Sequence, residues 1–159
     1  MSEANILSRP AVGYEQDFYT WTQQQAEQLR SLRPSGFDWA NLAEEIEDLG
    51  KSQKQKIESN LAIVLLHLLK LAYQPGSAKA GWRSSVIEHR RRIVRIVRDS
   101  PSLRRYPSSV LEEEYASARA MAEDETGLAL ENFPDICPFT IEQVLDPDFW
   151  PETGTGAQP

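Results

Sequence analysis

Four carboxylates fall within five positions, Glu44, Glu45, Glu47 and Asp48. On a helix, Glu44, Glu47 and Asp48 project from one face at i, i+3 and i+4, a spacing that can present oxygen ligands to a divalent cation. Such a site needs a second acidic pair. No carboxylate lies between Glu58 and Glu88, so only Glu112 to Glu114 or Glu123 to Glu125 remain to supply it. The favoured reading is a solvated acidic face paired with Lys51 and Lys54. Glu44, Glu47 and Asp48 stay weak metal candidates, and no cofactor is expected.

Histidine chemistry is limited by number, because His67 and His89 are the only two. A ferritin-like di-iron site wants Glu-x-x-His on two helices, but positions 64 and 86 are Val; a three-histidine site lacks a third ring. Each histidine sits beside an apolar stripe, where a hydrogen-bonded core residue is the plain reading. The sharper one is a shared polar pocket of His67, Lys70, Trp82, His89 and Arg90, able to hold an anion or to act as a base. Ser84, Ser85 and Ser100 lie in no nucleophile elbow, Cys137 has no histidine near it in sequence, and GSAKAG lacks the Lys-Ser/Thr ending of a phosphate loop.

The last candidate is a basic stretch. From Lys79 to Arg105 there are nine basic residues and two acids, in a chain whose net charge is -7. Arg91, Arg95 and Arg98 share one outward helical face, a geometry that suits phosphates. Against a nucleic-acid role stands a sequence pI near 4.9. The reading favoured here is internal neutralisation by Glu44, Glu47, Glu112 or Glu114.

The elements that must carry these residues are helical. Gln53 to Gln74 is the most apolar part of the chain and too long for a strand. Its polar positions Gln53, Lys56, Asn60, His67, Lys70 and Gln74 share one arc, while Ile57, Leu61, Val64, Leu65, Leu68 and Leu69 cover much of the rest. Thirteen residues from Leu61 to Tyr73, interrupted by His67 and Lys70, fall short of the roughly 20 that a membrane span needs. Trp39, Leu42, Ile46 and Leu49 continue the stripe upstream, so one helix from Trp39 to Tyr73 is expected; whether it breaks at Gly50 stays open.

Asp17 caps a preceding helix carrying Phe18, Trp21, Thr22, Leu29 and Leu32, which Pro34 to Gly36 end, and Asp38 caps the long one. SAKAG links it to a third helix, from about Trp82 to Asp99. SPSLRRYP reads as a corner with room for one helical turn, and Ser109 with Glu112 has the spacing of a capping box opening a fourth helix toward Leu130. Thr140 and Gln143 cap one short helix within an irregular C-terminal stretch. The expected architecture is all-α: one bundle of about four main helices over residues 14–151, with a flexible arm over 1–13 and a disordered tail over 152–159. A single cysteine and the lack of a signal-peptide pattern point to a cytoplasmic protein without a membrane anchor.

YEQDFYTW, DWANLAEEIEDLG, HLLKLAYQP, GWRSSVIEHR, SPSL and CPFTIEQVLDPDFWP, in this order and spacing, together resemble a bacterial domain-of-unknown-function family, number twenty-nine in its series. The resemblance runs from Tyr14 to Pro151. It implies a compact helical protein, common in cyanobacteria, and carries over no catalytic residues.

Every catalytic template fails on residue count or spacing, whereas oppositely charged helical faces are plentiful. The leading reading is therefore a non-enzymatic, cytoplasmic binding or protein-interaction module, with an unknown protein partner or self-association. The alternatives are a metal- or histidine-assisted hydrolase of a phosphorylated small molecule and a nucleic-acid-associated regulator using the arginine-rich helix.

Overall fold

One helix, α2, runs from Trp39 to Tyr73 without a break, passing straight through Gly50. The structure is a computed structural model that describes residues 10–31, 38–74, 76 and 80–152. The other helices are α1 (Phe18–Ser31), α3 (Ala80–Asp99), α4 (Tyr106–Ser109), α5 (Leu111–Thr126) and α6 (Ile141–Leu145), with 3-10 turns at Pro101–Leu103 and Leu130–Asn132. Among the described residues there is no strand, so the all-α class holds; the corner after α3 carries a 3-10 turn and then a separate short helix, α4, that runs on to Ser109. Most of the expected arm, the stop at Pro34 to Gly36, most of the SAKAG linker and the tail beyond Glu152 lie outside the described residues.

The chain divides into two compact units, Met1–Lys54 with Val97–Arg104, and Gln55–Ile96 with Arg105–Pro159. In the first, Asp17 caps α1 by accepting from Thr20 N at 2.7 Å, and it also takes the Ser102 N–H and hydroxyl, at 2.5 and 3.0 Å. Tyr19 N donates to Ser100 Oγ at 3.1 Å. One buried carboxylate thus starts a helix and fastens a turn 85 residues away in sequence. Burial alone would raise its pKa, but these hydrogen bonds outweigh it and hold the carboxyl below the usual aspartate range. Asp38 caps α2 as expected, accepting from Asn41 N at 3.2 Å.

The stripe expected at the start of α2 is displaced by one position. Leu42 and Leu49 are 43% and 52% exposed, while Ala43 and Gly50 are buried. On α1 the buried residues are Thr22 and Ala26. Small side chains on both helices let the backbones approach closely, which large ones at those positions would prevent.

The second unit holds the large core. Ile57, Leu61, Val64, Leu65, Leu68 and Leu69 of α2 are fully buried, and Trp82, Val86 and Ile93 of α3 and Tyr115, Ala118 and Ala122 of α5 are buried too. Residues 130–152 are largely irregular, so their carbonyls need donors from outside the segment. Two arginines and a tyrosine supply them. Arg90 donates to the carbonyls of Gln143, Val144 and Phe149 at 3.2, 2.7 and 3.1 Å. Arg119 donates to those of Leu130 and Phe133 at 3.1 and 3.0 Å, and Tyr115 to that of Pro134 at 2.6 Å.

The Thr140 and Gln143 capping box is present at α6. The one expected at Ser109 is not: Val110 occupies the N-cap of α5, and Ser109 ends α4, its hydroxyl donating to Tyr106 O at 2.7 Å. Pro107, suited to a first helical turn, gives this stretch a helix of its own. Helix α5 stops at Thr126, short of Leu130, because Gly127 adopts a left-handed conformation, φ 72°, and its N–H bonds Glu123 O.

Candidate functional site

Lys70 projects from the apolar part of α2 and is only 6% exposed. Its Nζ lies 2.6 Å from Glu125 Oε2 at the end of α5 and 4.4 Å from the centre of the Trp82 ring on α3. The ammonium is held between a carboxylate and an aromatic face, which compensate its lost hydration. His67, one turn before Lys70, has a buried Nδ1 with no hydrogen-bond partner among the described residues. Burial first, then the Lys70 charge, pushes its pKa below the ordinary histidine value, with Glu125 opposing and His89 adding to the shift. A neutral imidazole beside a lysine can accept a proton or a hydrogen bond.

His89 is engaged differently. Its Nδ1 lies 2.6 Å from Asn60 Oδ1, and Asn60 Nδ2 donates back to Lys56 O at 2.5 Å. The second bond orients the amide so that Oδ1 faces the ring, which makes His89 Nδ1–H the donor. Burial, and then Arg92, lower the pKa of His89, against Glu88. Arg90 is committed to the C-terminal segment, with its guanidinium 5.2 Å from the Trp150 ring centre and Arg83 4.5 Å from the same ring. Of the five expected pocket residues, Lys70 and Trp82 touch and His67 feels the Lys70 charge. His89 Nδ1 is taken by Asn60, and Arg90 Nε and Nη2 by the C-terminal carbonyls.

The outward side of α3 carries Arg91 and Arg95, both exposed and in no ion pair among the described residues. Ile87 and Val94 share that side and are 53% and 54% exposed. Arg92 pairs with Glu88 at 3.0 Å. Arg98, in the other unit, pairs with its neighbour Asp99 at 3.1 Å. The expected neutralisation by Glu44, Glu47, Glu112 or Glu114 does not occur among the described residues. Glu47 is held by Arg30 at 2.7 Å and Lys51 at 3.5 Å, and Glu112 accepts from Cys137 N at 3.2 Å. Glu114 sits among Glu58 and Glu113; burial, then these like charges, raise its pKa.

At the acidic stretch of α2, Asp48 pairs with Lys51 at 3.0 Å, while Lys54 lies over the Tyr19 ring at 4.9 Å. No group of three or more His, Cys, Asp or Glu among the described residues is arranged to hold a metal ion. Burial pushes the Cys137 thiol up to about 11, so it stays protonated and a poor nucleophile.

Two features escaped the sequence reading. Glu125 as the partner of Lys70 had no local signal, being 55 residues away. Ile87 and Val94 did have one: both fall off the Trp82, Val86, His89, Ile93 stripe and are one another's neighbours at i, i+7.

No helix among the described residues is long and apolar enough to cross a membrane. The fold is similar to the crystal structure of an alpha-helical protein of unknown function from Rhodospirillum rubrum, with a TM-score of 0.70 and 26% identity over 88% of this chain and 93% of that one. Among curated proteins none matches. A family model described as domain of unknown function DUF29 matches residues 13–150, and the chain belongs to that family.

Proposed function

We propose that this chain is a cytoplasmic protein-interaction module whose recognition surface is the outward side of α3, and that its partner presents an acidic amphipathic helix. The observation that carries this is the coincidence of two half-exposed aliphatics, Ile87 and Val94, with the exposed Arg91 and Arg95, which form no contact ion pair among the described residues, Glu88 interacting with Arg91 only at longer range. Single exposed aliphatics are ordinary on any surface. Two on one helical face beside exposed arginines match a ligand with apolar residues at i, i+3 or i+4 and i+7 and carboxylates along one edge. Arginine is favoured at such interfaces because its planar fork grips carboxylates in pairs.

The test is titration with a synthetic helical peptide of that pattern, rich in leucine on one face and glutamate at its edges. Binding should weaken in Ile87→Asp and in an Arg91→Glu, Arg95→Glu double variant, and a peptide with lysine in place of glutamate should not bind. Duplex DNA is the competing ligand. A DNA affinity falling with salt at about -0.9 per phosphate contacted, and lost in the same double variant, would overturn the reading in favour of a nucleic-acid regulator.

A further inference from the structure

In the first unit, a cavity of about 530 Å³ opens between the segment before α1 and the end of α3. That volume lies within the range of small-ligand sites. Its aromatic wall is Tyr14 and Phe18, whose rings meet edge to face with centroids 5.4 Å apart, and Tyr14 is 53% exposed. Trp21 backs the wall, packed against Tyr14 at 5.0 Å and stacked on Phe18 at 6.4 Å. An exposed tyrosine held by two rings behind it is a preorganised surface for a flat ligand.

The polar groups of the lining have unused capacity. The Gln53 carboxamide makes no hydrogen bond among the described residues, although it lines the cavity with both a donor and an acceptor. Ser100, only 1% exposed, accepts from Tyr19 N and keeps its own O–H available to donate. Glu15 adds a carboxylate to the lining. Arg98, also in the lining, is neutralised by Asp99 at 3.1 Å. With Glu15 and Asp99 against one arginine, the walls carry a slight negative excess, which disfavours a phosphate.

We propose that this cavity binds a purine nucleoside, with the base against Tyr14 and Phe18. The Gln53 amide matches the adjacent donor and acceptor on an adenine edge. The Glu15 carboxylate suits ribose hydroxyls, as acidic residues do in dinucleotide sites. The site is independent of the α3 surface, and its residues belong to the first unit.

The test is titration of the full chain with adenosine, guanosine and adenosine monophosphate, followed by tryptophan fluorescence and backbone amide shifts. Saturable adenosine binding is expected, with shifts at Tyr14, Phe18 and Gln53. Tyr14→Ala should weaken it roughly tenfold or more while leaving the fold intact, since the ring is largely exposed and base stacking on an aromatic is worth that much. Gln53→Ala should narrow the preference for adenosine over guanosine. The proposal fails if no nucleoside saturates at millimolar concentration, or if Tyr14→Ala binds as wild type does. It also fails if the monophosphate binds at least tenfold more tightly than adenosine and free phosphate displaces it, which marks an anion site.

Discussion

Thr22 occupies the space that a side chain at Gly50 would need: a Cβ built on Gly50 lies 2.2 Å from Thr22 Oγ1 and 2.8 Å from Gln23 Nε2. Thr22 is fully buried, and its hydroxyl donates to Tyr19 O at 2.7 Å, so it has little freedom to withdraw. Glycine inside a helix normally costs about 1 kcal/mol relative to alanine. Here the close crossing of α1 requires it.

Gly50→Ala should therefore destabilise the protein, because overpacking of about 1–3 kcal/mol exceeds the gain in helix propensity. Denaturant unfolding measures it. Adding Thr22→Ala should relieve the clash, so the double variant should lose less than the sum of the two singles. A Gly50→Ala protein more stable than wild type would show that α1 does not press on α2 at this point.

Asp17 makes stability depend on acid. Its pKa is lowered in the folded chain, so its contribution is complete above the ordinary aspartate value of about 3.9 and is lost as pH falls through the lower folded value. Asp17→Ala should cost about 2 kcal/mol near neutrality, combining a lost helix cap with unpaired donors at Thr20 and Ser102. It should also flatten the acid limb of a stability profile between about pH 5 and 2. An unchanged acid limb would remove Asp17 from the account.

What was legible in the sequence is what is local. The caps at Asp17, Asp38 and Thr140 depend on donors three residues away, and the apolar stripe of α2 from Ile57 to Leu69 is a property of one helix. Continuity of the helix from Trp39 to Tyr73 was read from its in-phase stripe, whereas the reason for a glycine at position 50 was not, since it is a neighbour on α1. Ser109 misled because Pro107 three positions earlier starts a separate turn, and Gly127 marked the end of α5 in plain view. The candidate pocket was half legible. Helical period places His67 and Lys70 one turn apart and Trp82 on an inward face, but the partners Glu125, Asn60 and the carbonyls of Gln143, Val144 and Phe149 come from 29 to 59 residues away.

His67 adds a second acid-sensitive step, at milder pH. Burial and the Lys70 charge lower its pKa, so the unfolded chain takes up the proton first. Stability is complete above the unfolded value of about 6.5 and declines as pH falls through the lower folded value. His67→Gln should leave a flatter profile below about pH 6.5 than wild type. His89 shares the sign of the shift, so His89→Gln should flatten the same window, and the double variant should flatten it most. Identical slopes in wild type and double variant would mean that neither ring is held neutral by the fold.

Arg90 decides whether residues 143–149 stay attached. Its guanidinium serves three carbonyls of that segment and lies against Trp150, while Nη1 is buried with no hydrogen-bond partner among the described residues. Arg90→Lys keeps the charge but loses the planar fork, and a single ammonium cannot match the directions of both Nε and Nη2. The loss should be about 2–4 kcal/mol, reflecting buried carbonyls left without donors. It should be confined in its first effects to the C-terminal segment. Hydrogen exchange of amides from Val144 to Trp150 should rise well before that of α2, and Trp150 emission should shift toward the red as the indole meets water. If Arg90→Lys instead loosens α2 and the segment together, the segment is part of the cooperative core, and Arg90 holds the whole unit rather than its last 20 or so residues.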